Sequence, residues 1–164
     1  GVDFVNVNKN IGGTITPHHM LLTKDDVFKN EKINPHHYCM PVVKNEEDLL
    51  SLRKAACFDN DKFFLGTDSA PHLTKDKIQH ESLKAGIFSS PCSLELYANI
   101  FEEEHALHNL EKFTTINGPQ FYGLDINSQV LTLNKKETDV PEYTEEGNIK
   151  IKNFFAGKKI NWKV

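Results

Sequence analysis

The segment Lys62-Phe-Phe-Leu-Gly-Thr67 constrains this chain most: a short, compact apolar run that ends directly on Asp68. A run of that length without polar alternation reads as a buried strand, and such strands belong to parallel sheets covered by helices. Its surroundings agree. Ile11-Gly-Gly-Thr-Ile-Thr16 reads as another short strand, ended by Pro17, and Tyr38-Cys-Met-Pro-Val-Val43 holds a further apolar run. Between them and the buried strand, Asn45 has the character of an N-cap. Glu46, Glu47 and Asp48 follow in a first helical turn, where the macrodipole favours acids. Leu49, Leu52 and Ala56 share one face of that helix, with Arg53 and Lys54 toward its end.

Ser90-Pro91 marks a second helix start, with Ser as cap and Pro at the first helical position. The spacing predicts a helix to about Phe113, with Leu94, Tyr97, Phe101, Leu107 and Leu110 toward a core. From Gln129 to Val164 the chain turns β-like: Leu131 and Leu133 alternate with polar residues, as do Ile160, Trp162 and Val164. The alternation of strand and helix predicts an α/β fold with parallel strands.

Composition narrows the function. The 164 residues are 38% apolar and 26% charged, ordinary values for a globular chain with its own core. A formal charge of −4, with lysines scattered among acids, leaves no basic footprint for nucleic acid or a charged membrane surface. No apolar run approaches the roughly 20 residues a membrane-spanning helix requires. The opening Gly1-Val2-Asp3-Phe4 has neither an initiator Met nor the pattern of a signal segment. A processed chain, or one beginning inside a longer protein, is expected. Three widely spaced cysteines, Cys39, Cys57 and Cys92, fit neither a disulfide framework nor a zinc finger, which points to a reducing cytoplasm.

Chemistry concentrates in Gly66-Thr67-Asp68-Ser69-Ala70-Pro71-His72, with Lys77 five residues on. A carboxylate directly after a buried strand sits where α/β barrels keep catalytic groups, at the carboxyl end of the sheet. Gly66 permits close approach of backbone or ligand, and Pro71 stiffens the loop carrying His72. Taken alone, Thr-Asp-Ser after a strand is an ordinary turn, since Asp and Ser are common turn formers.

The whole pattern Gly-Thr-Asp-x-Ala-Pro-His-x4-Lys, however, resembles the second signature of the dihydroorotases at every position. Thr14-Ile-Thr-Pro-His-His19, Pro35-His-His-Tyr-Cys-Met-Pro41 and Asn117-Gly-Pro-Gln-Phe-Tyr-Gly123 resemble segments of the single-domain bacterial-type family, in the same order. Phe155-Ala-Gly-Lys-Lys-Ile-Asn-Trp162 resembles its C-terminal end.

The resemblance implies a zinc-dependent amidohydrolase that interconverts N-carbamoyl-L-aspartate and dihydroorotate in pyrimidine synthesis. The implied fold is the C-terminal portion of a TIM-type (β/α)8 barrel, with residues 1–164 forming part of one domain and a tail from about residue 125. It implies a homodimer in the cytoplasm and a zinc pair bridged by a carboxylated lysine. By resemblance Asp68 is both zinc ligand and proton carrier, His72 binds the substrate carboxylate, and Met40 and Ala85 contact the substrate ring through their backbones. The Ala85 match is looser, because one residue is inserted after His72.

The family's remaining metal ligands are a His-x-His, the lysine and two further histidines, and they precede the point where this chain starts. A closed barrel takes about 250 residues, so there is room here for roughly three units and a tail. A piece of an active enzyme is therefore expected, inactive by itself, and a half-barrel exposes sheet edges and apolar interior. A non-catalytic homologue serving as a partner subunit and another cyclic-amide hydrolase are the alternatives.

The other histidines give no metal set. His18-His19 and His36-His37, if extended, point to opposite sides and match no zinc ligand of the family, so a surface or supporting place is expected. His80, His105 and His108 belong to a loop and a helix surface, the last two spaced to share one helix face. Cys39 is expected beside the site, by packing as much as by reactivity.

Overall fold

The computed structural model describes residues 1–58, 60–78 and 83–164. It opens with α1 (Val2–Val7), β1 (Gly13–Ile15), a 3-10 turn (His18–Met20) and α2 (Lys24–Val27). A small hairpin of β2 (Phe28–Lys29) and β3 (Lys32–Ile33) then leads to α3 (Glu46–Cys57) and β4 (Phe63–Leu65). After α4 (Thr74–Ile78) and a 3-10 turn (Ser90–Cys92) come α5 (Ser93–Glu103) and α6 (Asn117–Tyr122). Four strands close the chain: β5 (Asn134–Asp139), β6 (Tyr143–Glu146), β7 (Ile149–Lys152) and β8 (Lys159–Lys163).

β1 and β4 pair in parallel, Gly13 opposite Phe63 and Ile15 opposite Leu65. A further parallel bridge joins Ser69 to Ile87, so a third extended segment continues the layer. Phe63 and Phe64 are adjacent in a strand, so their rings point to opposite faces, yet both are buried. Phe63 joins a core with Ile15, Met20, Cys57, Tyr97 and Phe101. Phe64 packs on Phe121 and Tyr122 of α6, at ring separations of 5.4 and 5.7 Å. A strand covered on both faces is what the apolar run predicts.

α3 begins as expected: the Asn45 side chain accepts the Asp48 amide at 3.0 Å. It buries Ala55, Ala56 and Cys57, while Leu52 packs at the margin of the core.

The second helix departs from expectation. Ser90–Cys92 is a 3-10 turn, and α5 starts at Ser93 and stops at Glu103. His105 takes a left-handed φ of 56°, and the Ala106 amide reaches back to the Phe101 carbonyl at 2.7 Å. The chain then resumes through a 3-10 turn (Leu107–Asn109) and a π-helical turn (Lys112–Ile116). His105 and His108 therefore do not share one helix face.

The tail is β-structured, with β5 antiparallel to β8 and β6 antiparallel to β7. Leu131 and Leu133 precede the first strand, and Leu131 is exposed. The tail docks through Val140, Phe154 and Ile160, which enter a second core with Leu22, Cys39, Ile87 and Leu96. Glu102 of α5 receives the Trp162 indole N–H at 3.0 Å and pairs with Lys135. No helix among the described residues is long and apolar enough to cross a membrane.

Candidate active site

The carboxyl ends of β1 and β4 open onto a cavity of about 780 Å³, walled by Thr14, Thr16, His19, Pro41, Gly66 and Asp68. Gly66 is fixed by the neighbouring strand rather than by a ligand. A Cβ there would lie 2.4 Å from the Thr14 Cβ, a distance that no side chain tolerates.

Asp68 is exposed and holds a left-handed φ of 42°, which costs a non-glycine residue energy and persists only where its surroundings impose it. Those surroundings are visible. Ser69 Oγ accepts the Ser89 and Ser90 amides at 3.0 and 2.9 Å, and the Ala70 amide donates to the Ile87 carbonyl at 3.0 Å. The backbone is thus stitched on the far side of Asp68, while its carboxylate accepts no hydrogen bond among the described residues.

His19 stands on the same wall. Its Nε2 must carry the proton, because it donates to the Pro41 carbonyl at 2.9 Å; Nδ1 accepts the Thr16 hydroxyl at 2.7 Å. Burial pushes its pKa down, opposed by the Pro41 carbonyl and the Asp68 charge, so the ring stays neutral.

His18 and His19 sit in a 3-10 turn rather than an extended segment, with ring centroids 4.8 Å apart, instead of pointing to opposite sides. His18 is buried, not superficial. The donor atoms of His18, His19 and Cys39 lie within 4.8 Å of one another. Both His19 nitrogens are already committed, however, and burial raises the pKa of the Cys39 thiol, so the three form a packed polar cluster. Cys39 is in the core, as packing requires.

His72 and Ala85 meet on another side of the loop. His72 Nε2–H donates to the Ala85 carbonyl at 2.9 Å, and His72 lines a small cleft with His36, Lys77 and Gly86. Gly86, at φ 139°, allows this approach, since a Cβ there would lie 2.6 Å from the Ala70 Cβ and 3.0 Å from the His72 ring. Met40 is exposed beside Pro41. The Ala85 amide and both backbone polar groups of Met40 make no hydrogen bond to a described residue. They are free donors and an acceptor next to the loops that carry Asp68 and His72. His36 and His37 are half-buried near Lys152, and His80 lies outside the described residues.

Sequence reasoning misses Thr16 and Lys44 on the cavity wall and puts His19 in a supporting place. Nothing local distinguishes these residues; their position follows from how the strand ends converge.

Three carboxylates line the cavity, Asp3, Asp48 and Asp68, and none of them belongs to a cluster of three metal donors among the described residues; what the strand ends offer a metal is Asp68. That fits one ligand of a larger site and is too few donors to hold an ion alone.

No family model matches the chain. It is 46% identical to a dihydroorotase of Erythrobacter litoralis over 166 residues, covering 99% of this chain and 47% of the relative. A dihydroorotase of Hahella chejuensis is likewise 46% identical, over 163 residues. Among solved structures, a Saccharomyces cerevisiae dihydroorotase in complex with 5-fluoroorotic acid superposes with a TM-score of 0.85 at 37% identity, over 96% of this chain and 45% of that one. The Campylobacter jejuni dihydroorotase gives 0.87 at 32%, over 99% of this chain and 47% of that one. The chain spans about half the length of the curated relatives it matches, and its fold is an incomplete portion of a TIM-type α/β barrel. Sequence and fold agree that this chain is related, essentially end to end, to about half of the dihydroorotase chain.

Proposed function

We propose that the protein containing this chain is a dihydroorotase, interconverting N-carbamoyl-L-aspartate and dihydroorotate, and that residues 1–164 are the C-terminal portion of its single barrel domain, with a tail from about residue 125. Docking of Phe154 and Ile160 into the same core as Leu22 and Ile87 supports one domain rather than two. The protein acts as a cytoplasmic homodimer on a small-molecule substrate.

Asp68 serves as one metal ligand and as the proton carrier. The single observation that carries this reading is its free carboxylate, held at φ 42° on the wall of the strand-end cavity. A carboxylate without a hydrogen-bond partner can take a proton from the water that attacks the amide carbonyl carbon and deliver it to the ring nitrogen as the C–N bond breaks. Asp68 would hold a zinc pair together with histidines and a carboxylated lysine outside this chain, and that pair, when bound, would polarise the amide carbonyl and lower the pKa of water.

His72 holds the Ala85 carbonyl through Nε2–H, and a hydrogen bond from its Nδ1 to the substrate carboxylate requires a proton on that nitrogen as well. The unpartnered amide of Ala85 and the backbone of Met40 hold the ring. A flat orotate analogue such as 5-fluoroorotate fits the same contacts.

The test is dihydroorotate hydrolysis by the full-length protein with added zinc. Asp68→Ala is expected to lower turnover by about 10²- to 10⁴-fold, the range for losing a general acid–base group. Normal turnover in that variant removes the assignment. A wild-type protein with no dihydroorotate hydrolysis removes the function in favour of a non-catalytic homologue or another cyclic-amide hydrolase.

A further inference from the structure

Lys77 is the one lysine described as buried, only 4% exposed, and no carboxylate pairs with it among the described residues. Its ammonium instead donates to three backbone carbonyls: Gly86 at 2.6 Å, Lys84 at 2.9 Å and Tyr38 at 3.2 Å. Burying a charge without a counter-charge is expensive, and here only the three carbonyls offset it. The cage is therefore a costly way to fill this space. Its geometry suits a different purpose.

The three carbonyls belong to two segments far apart in sequence. Tyr38 lies two residues before Met40, and Lys84 and Gly86 flank Ala85 on either side. The same segments are tied directly by the Gly86 amide, which donates to the Tyr38 carbonyl at 2.9 Å.

Every carbonyl from Lys84 to Ile87 is committed: Lys84 and Gly86 to Lys77, Ala85 to His72, and Ile87 to the Ala70 amide. With these acceptors fixed, the Ala85 peptide cannot rotate without breaking one of them. The Ala85 N–H therefore has a fixed direction. Tyr38, gripped by the same ammonium, sets where the Met40 backbone can lie. A ring edge carrying amide N–H and C=O groups needs donor and acceptor at a set separation, and one cation bridging both segments supplies it.

We infer that Lys77 is a positioning residue: its ammonium, through the Tyr38, Lys84 and Gly86 carbonyls, sets the two backbone segments of Met40 and Ala85 against the substrate ring. The inference rests on the proposed role of Met40 and Ala85 as ring contacts. Lys77 itself touches neither substrate nor metal in this arrangement.

The test compares wild-type full-length protein with Lys77→Met, which keeps length and removes the charge, and Lys77→Gln, which keeps an N–H donor. 5-Fluoroorotate is the probe, because its binding reads ring contacts without turnover. Lys77→Met should bind it about 10-fold more weakly or worse, the equivalent of one lost hydrogen bond. KM for dihydroorotate should rise in parallel, with kcat and zinc content near wild type, and Lys77→Gln should fall between. A purely structural role would lower the melting point while leaving the affinity of the folded fraction unchanged, and that result overturns the inference. Failure of both variants to melt cooperatively also overturns it, because Lys77 is then needed for folding itself. If wild-type protein does not bind 5-fluoroorotate, the ring-contact reading fails first. If wild type binds and Lys77→Met binds equally, only the positioning role fails.

Discussion

His18 turns its ring into the core between His19 and Phe154, at centroid separations of 4.8 and 6.2 Å, and neither ring nitrogen finds a partner among the described residues. Burial, then the neighbouring His19, pushes its pKa down to about 3. An unfolded histidine takes up a proton near pH 6.5, so below that the unfolded chain binds a proton that the folded chain refuses. Protonation linkage at His18 therefore costs the fold nothing above about pH 6.5, and stability is lost as pH falls from there toward about 3. At about pH 5 the loss from this one group is up to about 2 kcal/mol. Replacing it in the full-length protein by His18→Leu should flatten the fall in denaturation midpoint between about pH 7 and pH 5. An unchanged slope would mean that another group carries the acid sensitivity. Adjacent histidines give no warning of this in sequence, because only the 3-10 turn brings both rings to one side.

At the scale of elements, α5 and β1 are joined by a single buried phenol. Tyr97 is fully buried, and its hydroxyl donates to the Ile15 carbonyl at 2.7 Å, at the end of β1 that opens on the cavity. Burial raises its pKa, so it remains a donor at any ordinary pH. Tyr97→Phe keeps the ring packing against Phe113 but strands the Ile15 carbonyl, which should cost about 1–3 kcal/mol. Urea denaturation of the full-length variant checks this, and an unchanged midpoint would show that the carbonyl finds another partner. The expected helix across this region is legible only in part. Leu94, Tyr97 and Phe101 have the right spacing, but the apolar rhythm continues through Leu107 and Leu110 past the real break at Glu104. Neither Gly nor Pro marks that break. It is a tertiary event, with His105 forced left-handed so that Ala106 can return to the core. β1 and β4 are legible because a short apolar run before a turn has few other uses. The tail is legible as β-like from Gln129 onward, but the separate strands β6 and β7 are not, because they lack a buried face to impose period-two patterning.

Across the whole molecule, the pieces of the site that a motif carries are legible, and the way they converge is not. Asp68, His72 and Lys77 stand in one recognisable stretch. The cavity is instead built from five parts of the chain, around Val2, Thr14, Pro41, Ser51 and Gly66. The same cavity shows what is still needed: the Asp68 carboxylate at the strand ends, neutral His19, and no cluster of donors around either Asp3 or Asp48 among the described residues. Apolar side chains stand uncovered on α1, at Phe4 and Val7, and after α6, at Leu124 and Val130. Such surface is normal for a barrel segment whose partner strands lie in other residues, and it favours association when left bare. A polypeptide limited to these 164 residues is therefore expected to show no dihydroorotate hydrolysis and to lose zinc on dialysis. Asp68 has no second and third donor grouped with it among the described residues, and a zinc site uses three or four ligands. Metal analysis after exhaustive dialysis decides the point: a zinc pair retained per chain would mean that the described residues assemble a site by another route, with the His18, His19 and Cys39 cluster the first place to look.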